Sequence, residues 1–210
     1  MDSSKKMLIA AFVFLLCLAG CVNLKQPSRR IDFYTLEYDP PRISRPAVLP
    51  VSLKVERFSV APGYNTMHIV FRDRSFKRNT YIYRQWRANP GDLISYFLYR
   101  DIRHSGLFKA ALPAGNSLET SYVLDGSVDG FFEWDTDSRW KAVLSFGVVL
   151  IKEAEPDVSR RIVIQKNYHA EQACSRKNPQ ALASAMSRAM AELSTQVIAD
   201  VYDALLHRPR

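Results

Sequence analysis

The sequence predicts an α+β fold: a single domain of mostly antiparallel sheet with two principal helices, at about 90–105 and 179–206. Three observations predict it. β-branched and aromatic residues fill several runs that alternate in polarity with period two, as half-buried strands do. Two Asn-Pro pairs, Asn89-Pro90 and Asn178-Pro179, each open a stretch whose apolar residues recur every three or four positions, as on a helix with one buried face. No Gly/Ser-rich linker divides residues 31–207, so these elements share one domain.

The elements follow in order. Phe33 to Tyr38 reads as a first strand, and Asp39-Pro40-Pro41 with Pro46 and Pro50 then forces an irregular connection, because proline lacks the amide hydrogen a ladder needs. Ser52 to Val60 alternates through Leu53, Val55 and Phe58 as a second strand. Met67 to Arg72 and Asn79 to Arg84 read as a strand pair around the basic loop Asp73 to Arg78. The first helix has Asn89 as N-cap, Pro90 at its first position, Asp92 in its first turn and Gly106 as its stop. Ile94, Leu98 and Ile102, with Phe97, form a stripe at i, i+4, i+8 that packs on a sheet. Leu107 to Leu112 starts a second strand series. Tyr122 to Trp134 and Trp140 to Ile151 read as a long hairpin about Asp135-Thr136-Asp137-Ser138, and Arg161 to Ala170 as the last strand. The closing helix runs from Pro179 to about Leu206 on a seam of Leu182, Met186, Ala189, Met190, Leu193, Val197, Val201 and Leu205. That seam serves either the core, which is the expectation, or a homo-oligomer.

The first residues stand apart from this domain. Met7 to Leu18 is an unbroken apolar run behind Lys5 and Lys6, the layout of a secretory signal peptide over residues 1–20. Twelve residues are too few to cross a hydrocarbon core, which needs about 20. The run ends Leu18-Ala19-Gly20-Cys21, which resembles a bacterial lipobox. Small residues before the cut let extended backbone enter a peptidase groove, and only the Cys21 sulfur forms the thioether to diacylglycerol. One acyl chain binds a bilayer marginally, at about 10⁴ M⁻¹, so the two or three palmitate-class chains expected on Cys21 amount to an anchor. An Asp after the acylated Cys resembles a signal for inner-membrane retention. Val22 stands there instead, so the periplasmic face of the outer membrane is the expected address; in a one-membrane organism the anchor would place the domain outside the cell. Residues 21–30 are polar, hold Pro27 and read as a tether reaching about 30 Å.

With 24% charged and 47% apolar residues the chain is neither disordered nor collagenous, and three cysteines make no disulfide scaffold. Loss of Lys5, Lys6 and Asp2 with the signal lowers the net charge from +8 by one, to +7, so the basic excess belongs to the mature protein. Such a bias favours anionic partners, and secretion sets nucleic acid aside in favour of anionic lipid or acidic protein. Once Cys21 is acylated and Cys17 removed, Cys174 is the only thiol left, and it reads as a small buried hydrophobe.

Enzyme signatures are absent: no G-x-S-x-G elbow, H-E-x-x-H helix, phosphate loop or G-x-G-x-x-G turn occurs. His68, His104, His169 and His207 lie without ligand spacing, and no metal or cofactor is expected. Glu133, Asp135 and Asp137 could align oxygens for a weak calcium site but lack the glycine and distal Glu of such a loop, so they read as turn residues. The remaining signal is aromatic. Tyr81, Tyr83 and Trp86 run into Arg87, while Trp134 and Trp140 flank the hairpin. Tyr and Trp suit interfaces because an apolar body carries a polar end, so Tyr81, Tyr83, Trp86 and Arg87 are the candidate contacts for a partner or lipid.

These residues together resemble a known family, the ABC-type transport auxiliary lipoproteins, PqiC-like proteins that accompany MCE-domain lipid transporters. The resemblance rests on Cys21, the Phe33-Tyr34-Thr35-Leu36 strand, the Ser52 to Val60 strand followed by Ile69-Val70-Phe71-Arg72, and above all Tyr81-x-Tyr83-x-x-Trp86-x-x-x-Pro90-x-x-Leu93 leading to Ser105-Gly106-Leu107-Phe108. Tyr122-x-Leu124 and the Ala/Met-rich terminal helix extend it over nearly the whole mature chain. It implies a non-catalytic docking role in a system moving lipids or hydrophobic solutes between membranes, with an MCE-domain protein and the permease and ATPase subunits as partners. The basic character of Arg72 to Arg78, Arg100 and Arg103 departs from what the resemblance implies. An envelope assembly or peptidoglycan-synthase activator lipoprotein shares the anchor, tether and α+β layout and is the alternative reading.

Overall fold

The computed structural model describes residues 4, 30–136 and 139–207. In chain order its elements are β1 (Asp32–Tyr34), β2 (Leu49–Val55), β3 (Ser59–Val60), β4 (His68–Arg72), β5 (Asn79–Trp86), α1 (Pro90–Ser105), β6 (Phe108–Leu112), β7 (Tyr122–Thr136), β8 (Arg139–Lys152), α2 (Val158–Arg161), β9 (Ile162–Ala173) and α3 (Pro179–Leu206). The chain from Ile31 onward forms one compact unit.

β7 is the spine of the sheet. Along one edge it pairs antiparallel with β8, from Tyr122↔Lys152 to Thr136↔Arg139, and β8 pairs in turn with β9. Along its other edge it meets three short strands in succession, all parallel: β2 at Leu53↔Tyr122, β3 at Ser59↔Ser127 and β4 at Phe71↔Glu133. β6 continues the sheet beyond β2, and β5 then β1 continue it beyond β4. The predicted α+β class holds, and antiparallel pairing prevails by length. The sheet is nevertheless mixed, because the crossovers through α1 and β6 return the chain parallel to β2, β3 and β4.

The two principal helices form as their caps dictate. Asn89 accepts the Gly91 amide at 3.0 Å and Asn178 accepts the Ala181 amide at 2.8 Å, each filling one orphan donor of a first turn. Gly106 closes α1 at φ 64°, a left-handed conformation that favours glycine. α1 lies over β2, β6 and β7, α3 lies over β8 and β9, and the two helices touch. Ile94, Leu98 and Ile102 of α1 and Met186, Met190, Leu193 and Val197 of α3 are all buried against Leu124, Val128, Leu144, Phe146 and Leu150. The seam of α3 is therefore a core face. A smaller cluster occupies the opposite face of the sheet, where Tyr64 stacks on Phe132 at 5.4 Å beside Val70 and Val143.

Several strand boundaries differ from expectation, and three of them have a visible cause or consequence. Of Phe33 to Tyr38, Phe33 and Tyr34 pair with β5 and the ladder ends there. Beyond it the proline-rich chain is held by side chains instead: Leu36 is buried, the Glu37 amide donates to Ser187 Oγ at 2.9 Å, and Tyr202 donates to the Ala47 carbonyl at 2.9 Å. The run Ser52 to Val60 breaks at Phe58, whose amide leaves the ladder and donates to Ser95 Oγ at 2.8 Å. Phe58 needs the space of two glycines, since a Cβ on Gly91 would lie 2.3 Å from the Phe58 carbonyl oxygen and one on Gly126 would lie 2.5 Å from its ring. The last strand starts one residue later than read, at Ile162, and ends three later, at Ala173; the single turn α2, capped by Asp157, takes up Arg161 before it.

Candidate functional site

Parallel pairing of β4 with β7, through Phe71↔Glu133 and Arg72↔Trp134, sets the ends of two hairpins side by side. Strand alternation then gives this end of the sheet two different faces. On the helix side, Tyr81 of β5 lies against the Phe71 ring, with centroids 4.6 Å apart, and its hydroxyl donates to Glu133 at 3.0 Å. Trp140 of β8 donates its indole N–H to the same Glu133 oxygen at 2.7 Å. Lys177, just before α3, closes the group: its ammonium bonds Asp135 at 2.6 Å and lies 5.7 Å from the Trp140 ring centre. On the opposite face the Arg72 guanidinium sits 4.9 Å from the ring centres of both Phe132 and Trp134, a cation–π sandwich.

Glu133 is the chemical centre of this end. It is only 1% exposed, and loss of water pushes its carboxyl up to about 6, while the bonds from Tyr81 and Trp140 pull the other way. The Tyr81 hydroxyl is pushed up in turn, by its own burial and by the neighbouring Glu133 charge. Cys174 lies nearby, its amide donating to the Trp140 carbonyl at 2.8 Å. Burial raises its thiol to about 11, so it stays protonated at neutral pH and is a poor nucleophile.

The four predicted contact residues part company. Tyr81 joins Glu133. Trp86 is 1% exposed and packs edge-on against Phe131 at 5.0 Å, so its ring belongs to the core. Tyr83 and Arg87 are at the surface, the Arg87 guanidinium 5.4 Å from the exposed Phe33 ring. The lipidation residue Cys21 and its Leu18, Ala19 and Gly20 lie outside the described residues. Glu133, read as a turn residue, sits inside β7, and Asp135 is engaged by Lys177; Asp137 lies outside the described residues. The missed signal was phase, since Glu133 follows Phe131 by two and therefore shares its buried face.

Among the described residues, no group of three or more His, Cys, Asp and Glu side chains could hold a metal ion, and no helix is long and apolar enough to cross a membrane. The histidines are dispersed: His68 Nδ1 lies 3.0 Å from the Tyr81 carbonyl and His169 lies 3.5 Å from Glu171. The arrangement presents cations and aromatic rings around one buried carboxyl.

A family model, described as the ABC-type transport auxiliary lipoprotein component, matches residues 34–198. The chain belongs to this family. Membership makes it an envelope lipoprotein associated with an ABC transport system. The matched stretch contains every element from β2 to β9, both hairpins, Glu133 and most of α3. No curated protein matches the sequence. Among solved structures, protein XCC0632 of Xanthomonas campestris, assigned to family model DUF330, is similar at 17% identity and a TM-score of 0.74, covering 82% of this chain and 95% of its own. A protein described only as uncharacterized is similar at 13% identity and a TM-score of 0.64, over 82% and 99% of the two chains. Hypothetical protein CT253 of Chlamydia trachomatis is similar at 8% identity and a TM-score of 0.55, over 76% and 100%. At these identities the auxiliary lipoprotein shares a fold with them.

Proposed function

We propose that this auxiliary lipoprotein is acylated at Cys21, is held at the periplasmic face of the outer membrane, and serves as a non-catalytic docking component of an MCE/ABC-type system that moves lipids or other hydrophobic solutes between membranes. The observation that carries the reading is the family match over residues 34–198 on a chain whose first residues end in Leu18-Ala19-Gly20-Cys21. The absence of Asp after Cys21, where Val22 stands, supports the outer membrane over the inner one. The chemistry of the hairpin end supports docking over catalysis: its carboxyl is occupied by Tyr81 and Trp140, and its thiol is held protonated.

Affinity capture of the full-length protein from detergent-solubilised envelopes tests this. Recovery of an MCE-domain protein or a permease subunit is the expected result. Recovery of a peptidoglycan synthase without them would replace the reading with that of a synthase activator. Substitution Cys21→Ser is expected to release the protein from the membrane fraction, and retention of the variant there would remove the acyl anchor from the account.

A further inference from the structure

We propose that the β4–β5 hairpin tip, Asp73 to Arg78, is a second membrane contact that seats on an anionic phospholipid surface. It rests on the envelope-lipoprotein reading only in placing the domain near a bilayer. Phe76 at the tip is 103% exposed, the largest exposure of any apolar side chain described. It is flanked by Arg74, Lys77 and Arg78, set against one acid, Asp73. Asp73 accepts the Ser75 amide at 2.8 Å and the Ser75 hydroxyl, bonds that hold its carboxyl below the usual range, so it folds the loop as an ionised turn residue. The loop keeps a positive balance around a projecting ring.

The base of the hairpin is built rigidly while the Phe76 ring at its tip projects into solvent. Arg72 is clamped between Phe132 and Trp134, and Phe71 pairs with both Asn79 and Glu133. Ile82, exposed at 70%, is a further apolar side chain open to solvent on β5. A ring that inserts at the headgroup boundary, with cations at its sides to meet phosphate, is how an interfacial anchor binds. An acidic protein with a pocket for the ring would meet the same charges, but the short tether of residues 21–30 that keeps the domain beside a bilayer favours the lipid surface.

The test uses the full-length acylated protein carrying Phe76→Trp, reconstituted into vesicles of phosphatidylcholine alone or of phosphatidylcholine and phosphatidylglycerol in equal parts. The signal is the difference from the parent in tryptophan emission and in quenching by brominated acyl chains. A blue-shifted, quenched Trp at position 76 in the phosphatidylglycerol vesicles is expected, and water-like emission in phosphatidylcholine alone. Each cation near an anionic surface contributes about a fivefold change in partition, so Arg74→Glu with Lys77→Glu and Arg78→Glu should abolish the quenching, and high salt should weaken it in the unreversed protein. Water-like emission in both vesicles would overturn the proposal. So would quenching that survives charge reversal, or capture of an envelope protein through the tip while Trp at 76 stays in water. This readout contains no transport partner, so its failure and a failed MCE capture are separate results.

Discussion

Two neighbouring positions of β7, Phe131 and Glu133, use aromatic partners in opposite ways. The Phe131 ring meets Trp86 edge to face at 5.0 Å within the apolar core, and the side chains are held there by packing. Near the turn, Trp140 and Tyr81 converge on Glu133, and hydrogen bonds to one buried carboxyl replace packing. The helices explain the contrast. α1 and α3 cover the strands with apolar stripes, whereas the hairpin end is closed by Tyr81, Trp140 and Lys177, which bring polar atoms with them. A sheet capped this way has one end built for stability and one end left with charge and ring edges to offer.

The strongest way to break this comparison is at Trp86. Trp86→Ala removes a fully buried indole and should cost about 3–5 kcal/mol, while Tyr83→Ala, three residues earlier on the exposed side, should stay within about 1 kcal/mol. Urea unfolding with unchanged m-values measures both. Equal costs would mean that the two residues are not divided between core and surface.

Asp101 sharpens the comparison by showing how the helix-covered end treats a carboxylate. It is fully buried, yet the Arg100 Nε–H donates to it at 2.8 Å and the Tyr38 hydroxyl donates at 2.7 Å. Arg100 also donates to the Tyr38 carbonyl at 3.1 Å, which pins the proline-rich segment to α1. Asp101→Ala leaves the guanidinium beside an apolar wall and should cost about 3 kcal/mol. Hydrogen exchange should quicken along residues 36–43 more than in β7, and uniform loss of protection would contradict that local role.

Glu133 has neutral donors where Asp101 has a cation, and the pH dependence should expose the difference. Its ordinary value is 4.5 and its folded value about 6, so the native state holds this proton more tightly than the unfolded chain does. The stabilising contribution is complete below pH 4.5 and is lost as pH rises through 6, an effect of about 2 kcal/mol at most. Glu133→Gln keeps an acceptor for Tyr81 and Trp140 and removes the titration. The variant should therefore show a flatter stability profile between pH 4 and 7 than the parent. A parent profile with no fall across that window would assign Glu133 an ordinary carboxyl.

Sequence periodicity carried the helix-covered half of the molecule. Asn89-Pro90, Asn178-Pro179 and Gly106 are local signals that act through the backbone next to them, so both principal helices were legible to the residue. The long hairpin was legible for the same reason, as β7 and β8 are adjacent in sequence. What depends on distant partners was not. The parallel pairings of β2, β3 and β4 join residues far apart in the chain, and nothing in Leu53 or Phe71 names Tyr122 or Glu133 as a neighbour. The hairpin site suffered most, because Glu133 becomes a buried carboxyl only through β5 and β8 together. Trp86 was misjudged from its neighbours Tyr83 and Arg87, which share its strand and connection but not its side of the sheet.

The smallest effect contrasts the caps of the two principal helices. Asn89 fills its cap and also donates to Asn65 at 2.8 Å, tying α1 to the loop before β4. Asn178 caps α3 alone, immediately after Lys177. Asn178→Ala should cost about 1 kcal/mol, the usual loss for one side-chain acceptor at an N-cap, and Asn89→Ala somewhat more because a second bond goes with it. The place of the damage is more telling than its size. If the start of α3 is the piece that closes the hairpin end, Asn178→Ala should quicken amide exchange at Ala181 and at Cys174, whose amide bonds Trp140, while leaving the Gly91 amide of α1 unchanged. Exchange confined to Ala181 would show that the helix start and the Glu133 group are independent, and the closure of that end would then rest on Tyr81 and Trp140 alone.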